Sequence, residues 1–571
     1  MSTLVNPSTA AIPHQRSPIP WVGHMFGFAR NPYQFVARVA AEKGEIAAFT
    51  LLGQRIVLLT GDEASEVFYR ASDEVLDQAA AYKLMTPIFG EGLVFDAPLA
   101  RKNQQLKMLM PSLRADAMRH HAHKIVGEVD ELMRQWGDSG QMDLVAQMKQ
   151  LTINTASHCL LGREFRYELS AEFAQIYHDL EQGVNPLAYH FPNLPIPAFK
   201  RRDRARARLQ QLVGGIVQKR AQQPVKPNDL FQSLIDGAYD DGTKLSDNEI
   251  TGMLIATIFA GHHTSSGTAA WVLLELLKHP AVMREVLTEL DTVLGDQDDL
   301  SFQNVRDLVV LDRVLKEVLR LHPPLIILMR QVKQDIAFKQ YTIAAGDMVW
   351  ACPPITHRLP HLFANPEAFD PSRFGPDRHE DKNLMAYQPF GGGHHKCSGN
   401  AFAQFQIKAI FAVLLRRYTF ELADPPEHYV DDYTQMIVQP RAPCRVRYQI
   451  RSTRAAPPSA PPSAQPSAQP SAQSAPTAAD SATASAAGAC PFHSSAPSGA
   501  RVPTFRVVVD RQLCQGHAMC MNEAPEVFNV DANGQLHILK PELTEQAREQ
   551  VTRAVRYCPN SALKIVEGPT P

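Results

Sequence analysis

The sequence predicts a mainly α large domain with a minor β-sheet region, joined by a disordered linker to a small α+β domain. The length of 571 residues exceeds that of one ordinary domain. Residues 455–501 are mostly Ala, Pro, Ser and Gln, a composition that cannot bury a hydrophobic core. A separate group of cysteines follows this segment. We therefore expect the large domain at residues 1–454, the linker at 455–501 and the small domain at 502–571.

Four segments of the large domain predict its helices and its sheet. Residues 249–277 alternate apolar and small side chains over a length that predicts a long central helix. Residues 311–321 predict a second helix, which is ended by a Pro-Pro pair. Short runs of β-forming residues at 56–59 and 348–350 predict the minor sheet region.

Charge and cysteine usage narrow the class of protein. The chain has 57 Lys and Arg against 59 Asp and Glu, so it lacks the basic excess typical of nucleic-acid binding. Its eight cysteines do not follow the paired pattern of a secreted disulfide framework. Residues 1–27 contain no apolar run of membrane-spanning length. These features predict a cytoplasmic protein without a transmembrane anchor.

Residues 390–399 contain one cysteine after a glycine-rich stretch and before an apolar run. Glycines let the backbone pass close to a flat cofactor. A helix that starts after Cys397 directs free N–H groups toward its sulfur and favours the thiolate. As an axial ligand of haem iron, a thiolate promotes O–O cleavage. A structural cysteine is the alternative, but Phe390 and Gly399 at their spacing favour the haem ligand.

This segment resembles the haem-binding loop of the cytochrome P-450 family, F-x-x-G-x-x-x-C-x-G, which implies haem b as cofactor. Glu317 and Arg320 resemble the family's E-x-x-R motif, and Arg373 matches the arginine that joins that pair. The resemblance implies that these three residues form a structural triad that fixes the cysteine loop. His394 stands where the family usually has an arginine that contacts a haem propionate.

Residues 260–266 of the central helix resemble the family pattern A/G-G-x-D/E-T-T. The resemblance gives Thr264 the role of the alcohol that supports oxygen activation, and it places His263 at the acid position. Histidine titrates near neutral pH and can relay protons as a carboxylate does. The alternative is a polar kink in a buried helix, where the paired histidines only form hydrogen bonds with neighbouring groups.

The histidine in this motif narrows the resemblance to the sterol 14α-demethylase branch. Residues 82–96 resemble that branch's Y-x-x-L-x-x-P-x-F-G-x-x-V-x-x-D signature, which forms a lid over haem and substrate. The resemblance implies that Tyr82 hydrogen-bonds a haem propionate and that Tyr82 and Phe89 contact the sterol. Without the second motif, both aromatic residues would be read as core residues.

Further propionate contacts follow from the same resemblance. Arg330 and His395 stand where relatives place such contacts. A lysine near Lys107 is a further candidate.

The small domain contains Cys514 and Cys520, and later Cys558 followed by proline. Clustered thiolates with a distant Cys-Pro are typical of iron–sulfur sites. The segment resembles small bacterial single-cluster ferredoxins, with His517 in place of the middle cysteine. Three thiolates predict a 3Fe–4S cluster, or a 4Fe–4S cluster if His517 is a ligand. Zinc is the alternative metal, although the spacing does not supply two close ligand pairs.

Taken together, the resemblances imply a haem-thiolate monooxygenase that removes the 14α-methyl group of a lanosterol-like sterol. Three successive O2-dependent oxidations would use electrons from the fused ferredoxin. Because no dinucleotide-binding fingerprint is present, a separate NAD(P)H-dependent ferredoxin reductase is expected. The alternatives are a cytochrome P-450 that hydroxylates another lipid and a non-enzymatic haem redox or gas sensor.

Overall fold

A computed structural model describes most of the large domain and most of the small one. The residues it describes are 10–184, 188, 191–295, 300–451, 504–511, 513–514, 516–531, 534–556, 558, 560 and 562–567. The predicted linker at 455–501 and the predicted domain boundaries lie outside these ranges. They therefore remain predictions.

Helices dominate the large domain, as the sequence predicts. Those described are α1 (Met25–Arg30), α2 (Pro32–Lys43), α3 (Asp62–Arg70), α4 (Gln78–Ala81), α5 (Thr86–Phe89), α6 (Leu99–Leu109), α7 (Ala115–Met133), α8 (Leu144–Ala156), α9 (Ser170–Glu181), α10 (Pro197–Ala221), α11 (Leu230–Asp236), α12 (Asp247–Gly261), α13 (His263–Lys278), α14 (Pro280–Leu294), α15 (Phe302–Asp307), α16 (Val309–Leu321), α17 (Pro353–Thr356) and α18 (Asn400–Arg417).

The large domain also contains small sheets. Its described strands are β1 (Ile46–Leu51), β2 (Gln54–Leu59), β3 (Leu76–Asp77), β4 (Ser139–Asp143), β5 (Leu328–Val332), β6 (Ile336–Phe338), β7 (Tyr341–Ile343), β8 (Met348–Ala351), β9 (Tyr418–Leu422) and β10 (Arg445–Ile450). A five-stranded sheet has the order β1-β2-β8-β5-β3, with β2 and β8 parallel and the other pairs antiparallel. Strands β4, β10 and β9 form a second sheet, and β6 pairs with β7. The fold class predicted from the sequence is thus confirmed.

The predicted central helix is present but broken. Ser246 and Glu249 form a reciprocal capping box that starts α12. The helical path is interrupted at His262 and resumes as α13. At the break, the Thr264 hydroxyl donates to the carbonyl oxygen of Ala260 over 2.5 Å. Such a side-chain bond competes with the backbone ladder and bends helices, so Thr264 is one physical cause of the break.

The core of the large domain sits around these helices. Apolar residues of α7, α8, α12, α13, α16 and α18 share one large buried cluster. Two smaller clusters cover the two faces of the five-stranded sheet. Helix α18 is buried along most of its length, which fixes the cysteine loop in front of it.

The small domain has its own core. Its described elements are β11 (Thr504–Val509), α19 (Met519–Glu523), β12 (Phe528–Val530), β13 (Leu536–Ile538), β14 (Leu543–Thr544), α20 (Glu545–Arg556) and β15 (Leu563–Glu567). Strand β11 lies between β14 and β15 in an antiparallel sheet, and β12 pairs with β13. Across the described residues of both domains, no helix has the length and apolar character needed to cross a membrane.

Candidate functional site

The cysteine loop is shaped by glycines with positive φ. Gly391 has φ of 71° and Gly393 has φ of 61°. A Cβ atom on Gly393 would lie 1.9 Å from the carbonyl oxygen of Tyr69, so no larger residue fits there. The N–H of Cys397 donates to the carbonyl oxygen of Phe390 over 2.9 Å. The loop is therefore closed on itself immediately before α18.

Two opposing influences act on the Cys397 thiol. Burial raises the pKa of the Cys397 thiol, while the N–H groups of Gly399 and Asn400 act in the opposite direction. The residue is nevertheless exposed. Ala260 is also exposed, although Phe259 beside it is buried. An accessible thiol that follows the glycine loop and precedes α18 fits an axial ligand of haem.

A buried group of cationic side chains lies near the loop. The Lys102 Nζ donates to Gln78 Oε1 over 2.6 Å and lies 3.3 Å from His395 Nδ1. The other ring nitrogen of His395 contacts the Asp73 carboxylate. Burial lowers the pKa of Lys102 to about 8, that of His395 to about 4, and that of Arg330 below its usual value. The nearby carboxylates thus do not offset the cost of burying the charges of Lys102 and Arg330. Two haem propionates beside these side chains would offset that cost.

Lys107 and His394 are two further candidates for propionate contacts. Lys107 is exposed on α6, and Lys102 occupies the buried position instead. Lys102 lies five residues before Lys107 and on another face of α6, and the expected propionate contact of a lysine in this region stays a prediction. The side chain of His394 lies outside the described part of the structure, so its predicted contact remains a prediction.

An aromatic wall runs from the cation group to the broken helix. Tyr82 stacks on Phe95 at a centroid distance of 4.8 Å. Phe89 is buried and lies 5.9 Å from both Phe95 and Phe259. Tyr82 also interacts with Arg330. The structure thus places Tyr82 beside the cationic group and Phe89 deeper along the wall.

At the helix break, His263 has a partner that sequence reasoning missed. Its Nε2 contacts the carboxylate of Glu181 at the end of α9, and both side chains are partly exposed. The neighbouring His262 is buried and lies 3.1 Å from the Thr152 hydroxyl. Glu181 has no sequence signal, because it is 82 residues from His263. A His–Glu pair with access to solvent can hold and pass a proton.

The structure brings Glu317, Arg320 and Arg373 together. Arg320 donates to both carboxylate oxygens of Glu317 over 2.8 and 2.9 Å. Arg373 donates to Glu317 Oε1 over 3.0 Å. All three side chains are fully buried. Both arginines also donate to carbonyl groups of residues 357–368, which fixes the segment leading toward the cysteine loop.

His357 extends this group and was not identified from the sequence. The ring is buried, and its Nδ1 lies 3.2 Å from the carbonyl oxygen of Arg320. Its Nε2 accepts from the Gln388 N–H over 2.9 Å. Burial lowers the His357 pKa to about 3, so the ring is neutral with its proton on Nδ1. His357 thereby joins the triad to the segment that enters the cysteine loop.

In the small domain, Cys514, Cys520 and Cys558 line one cavity. Gly516, at φ of 68°, packs against the backbone of Gly534, and Ala518 has φ of 57°, so the intervening loop is tightly turned. In the described ranges, no group of three or more His, Cys, Asp or Glu side chains is close enough together to hold a single metal ion. Thiols spaced around a cavity suit a cluster better than one zinc ion.

His517 lies at the face of the small domain that meets the large one. Its ring is buried against the Leu113 backbone, and neither nitrogen makes a hydrogen bond of good geometry within the described residues. Burial lowers its pKa to about 4, so the ring is neutral. This position beside Leu113 was not foreseen from the sequence.

The two domains contact each other around the cysteine sites. Met519 packs into the core cluster of the large domain. Arg306 of α15 forms an ion pair with Glu523 over 2.5 Å, and both side chains are buried. Arg114 donates to the carbonyl oxygen of Asp531 over 3.4 Å. Sequence reasoning could not identify these contacts, because they join segments more than 200 residues apart.

Comparisons with known proteins agree with this architecture. The cytochrome P450 family profile matches residues 13–447, and the profile of the 4Fe-4S single cluster domain matches residues 507–565. A sterol 14alpha-demethylase of Mycolicibacterium vanbaalenii is 46% identical over 434 residues, covering 75% of this chain and 96% of the relative. The obtusifoliol 14-alpha demethylase of Sorghum bicolor is 38% identical over 441 residues, covering 76% and 89%.

A solved structure, the retinoic acid bound cyanobacterial CYP120A1, has the same fold. It superposes with a TM-score of 0.69 at 25% identity, covering 77% of this chain and 99% of that structure. The chain belongs to the cytochrome P450 monooxygenase family, with sterol 14α-demethylases among its relatives, and it carries a C-terminal domain of the single-cluster iron–sulfur type.

Proposed function

We propose that this protein removes the 14α-methyl group of a sterol in three successive O2-dependent oxidations. The observation that carries the proposal is the aromatic wall, which runs from Tyr82 to Phe259, three residues before the helix break at His262. A flat apolar ring system such as a sterol is complementary to such a wall. The relatives named as sterol 14α-demethylases support the same substrate class.

Haem, when bound by Cys397, would supply oxygen activation and oxidation of the methyl carbon. The residues of this chain hold and surround it. Lys102 and Arg330 would neutralise its propionates, with His395 beside Lys102 as a further contact and Tyr82 beside Arg330. The triad and His357 hold the segment that leads into the cysteine loop in place.

We assign proton delivery to the helix break. The Thr264 hydroxyl donates to Ala260 in this structure, and rotation about one bond would redirect it. His263 Nε2 contacts the Glu181 carboxylate, and both side chains are partly exposed to solvent. This arrangement supports Thr264 as the group that donates near the reacting oxygen and His263 as the route from solvent.

The small domain would carry a 3Fe–4S cluster and pass single electrons to the large domain. Three thiols line its cavity, which His517 also borders, and the His517 ring is buried against the Leu113 backbone of the large domain. A 4Fe–4S cluster with His517 as a ligand is the alternative. A separate NAD(P)H-dependent ferredoxin reductase would supply the electrons, and the contacts of Met519 and Glu523 support delivery within one chain.

Product analysis with a panel of sterols and fatty acids tests the substrate proposal. We expect a 14-demethylated sterol with one formate released for every three O2 consumed. A hydroxylated fatty acid without formate would show instead that the enzyme acts on another lipid. Absence of substrate-dependent O2 consumption would favour a redox or gas sensor.

Cleavage at a protease site inserted at residue 470 tests electron delivery by the tether. A flexible tether sets an effective concentration on the order of mM. Turnover of the intact chain, with reductase saturating, should therefore be independent of dilution, whereas turnover of the cleaved chain should fall on dilution. Equal rates for both at sub-micromolar concentration would contradict delivery through the tether.

A further inference from the structure

Asn400 and Asn560 form a hydrogen bond between the two domains. Asn400 Nδ2 donates to Asn560 Oδ1 over 2.6 Å. The two residues are 0% and 1% exposed, so the bond is shielded from water. A buried amide left without a partner is costly, and a polar pair of this kind therefore fixes one relative placement of the domains.

Each of these asparagines also adjoins a cysteine that we assign to a metal site. The backbone N–H of Asn400 interacts with the sulfur of Cys397. The backbone N–H of Asn560 interacts with the sulfur of Cys558. In addition, Asn560 Nδ2 donates over 2.8 Å to the carbonyl oxygen of Leu513, the residue before a further cluster cysteine. Covalent bonds and polar contacts thus run without interruption from Cys558 to Cys397.

We infer that the Asn400–Asn560 pair is the bridge through which the small domain docks on, and transfers electrons to, the haem side of the large domain. The inference rests on the proposed delivery of electrons by the fused domain. The transfer tested below would move one electron from the reduced cluster to ferric haem, with no bond formed or broken. Both side chains are neutral amides, so no proton has to move with the electron.

Two other polar contacts between the described residues of the domains lie away from the cysteines. The Arg306–Glu523 ion pair and the Arg114–Asp531 bond join the domains through residues that are not ligands or neighbours of ligands. Lys396 interacts electrostatically with both Cys397 and Cys558. Its positive charge favours the approach of two thiolate sites.

Leucine substitutions of the two asparagines test the bridge in the full-length chain. Asn400→Leu and Asn560→Leu keep the side-chain size and the backbone N–H groups while removing the amide. We expect each to slow electron transfer from the flash-reduced cluster to haem about tenfold, because a buried amide loses its partner. The double variant should be no slower than the slower single variant, since both remove the same bond.

Hydrogen exchange supplies a readout that is independent of electron transfer. Amides of residues 519–523 and of α15 should exchange faster in the leucine variants, because both segments meet at the domain contact. Lys540→Gln, at an exposed pair with Glu526 on the small domain, is the matched control and should change neither measurement. Asn400→Ser is a second variant that removes the amide with less steric demand, and it should give the same two changes.

The outcomes separate the bridge from the proposed function. Unchanged transfer and unchanged exchange in the variants, with transfer intact in the native chain, would overturn the bridge alone. A native chain that shows no transfer from cluster to haem would overturn electron delivery by the fused domain and the bridge's electronic role with it. In that case faster exchange in the variants would still assign the pair to docking.

Discussion

Arg373 Nε donates to Glu317 Oε1 over 3.0 Å, and both side chains are fully buried. This one bond ties helix α16 to the turn that precedes the cysteine loop. The same oxygen accepts from the backbone N–H of Asp370 over 2.8 Å. Glu317 therefore holds both a second arginine, Arg320, and the backbone of the loop segment.

Glu317→Gln should destabilise the large domain and release haem. Removing the Glu317 charge leaves the buried Arg320 guanidinium without its counter-charge and Arg373 paired with Glu380 alone, at a cost of about 3–5 kcal/mol. Urea unfolding followed by haem absorbance measures this loss. Glu367→Gln is the control, because Glu367 is 76% exposed beside Arg358. Equal stability of the two variants would contradict the role of the triad.

Cys397→Ser should leave a folded protein without the thiolate-type spectrum of the reduced carbon-monoxide complex. Cys397 is the exposed cysteine of the glycine loop, and a serine hydroxyl cannot act as a thiolate ligand. Absorbance of the reduced complex measures the change, and circular dichroism reports the fold. Cys444→Ser, a buried cysteine elsewhere, should keep the spectrum. A retained spectrum in Cys397→Ser would refute the ligand assignment.

The native chain should show the electron paramagnetic resonance signal of an oxidised 3Fe–4S cluster. His517→Cys supplies a fourth thiolate and should convert the site to a 4Fe–4S cluster, whose oxidised form lacks that signal. Iron and sulfide analysis of the full-length protein checks the stoichiometry. A native chain that already contains four irons would point to His517 as a ligand, and a zinc-only result would reject the cluster.

Lys102→Met should weaken haem retention, because the buried ammonium is the cation placed to meet a propionate. Lys107→Met on the same helix is the matched control, since Lys107 is exposed. Transfer of haem to an apo-myoglobin acceptor measures the rate of loss. Equal rates for the two variants would exclude Lys102 from the haem site.

Glu275 should give the protein an acid-sensitive component of stability. His322 and Lys278 lower the pKa of Glu275 from 4.5 to about 2, despite burial. A carboxylate with a lowered pKa stabilises the fold above pH about 4.5, and this contribution is lost as the pH falls toward 2. Glu275→Gln should lack that slope in the free energy of unfolding, measured by urea titration between these values. Glu427→Gln, an exposed control, should retain it.

The course of the central helix shows where sequence patterns stop being sufficient. The apolar periodicity of residues 249–277 predicts helix throughout, and most of that segment is helical. The break at His262 depends on a hydroxyl bond from Thr264 to Ala260 and on the packing of His262 against Thr152. Apolar periodicity indicates which face of a helix is buried. It does not predict a side-chain hydrogen bond that competes with the backbone bonds of the helix.

The sequence by itself determined the groups whose chemistry requires particular residues at fixed spacing. Cys397 within its glycines, the pair Glu317 and Arg320, and the cysteines of the small domain are of this kind, because each motif is short and chemically restrictive. Only the tertiary structure decided which distant groups complete these sites. Glu181 and Asn560 each come from a segment far along the chain, and their partnership with His263 and Asn400 depends on folding that no local pattern encodes.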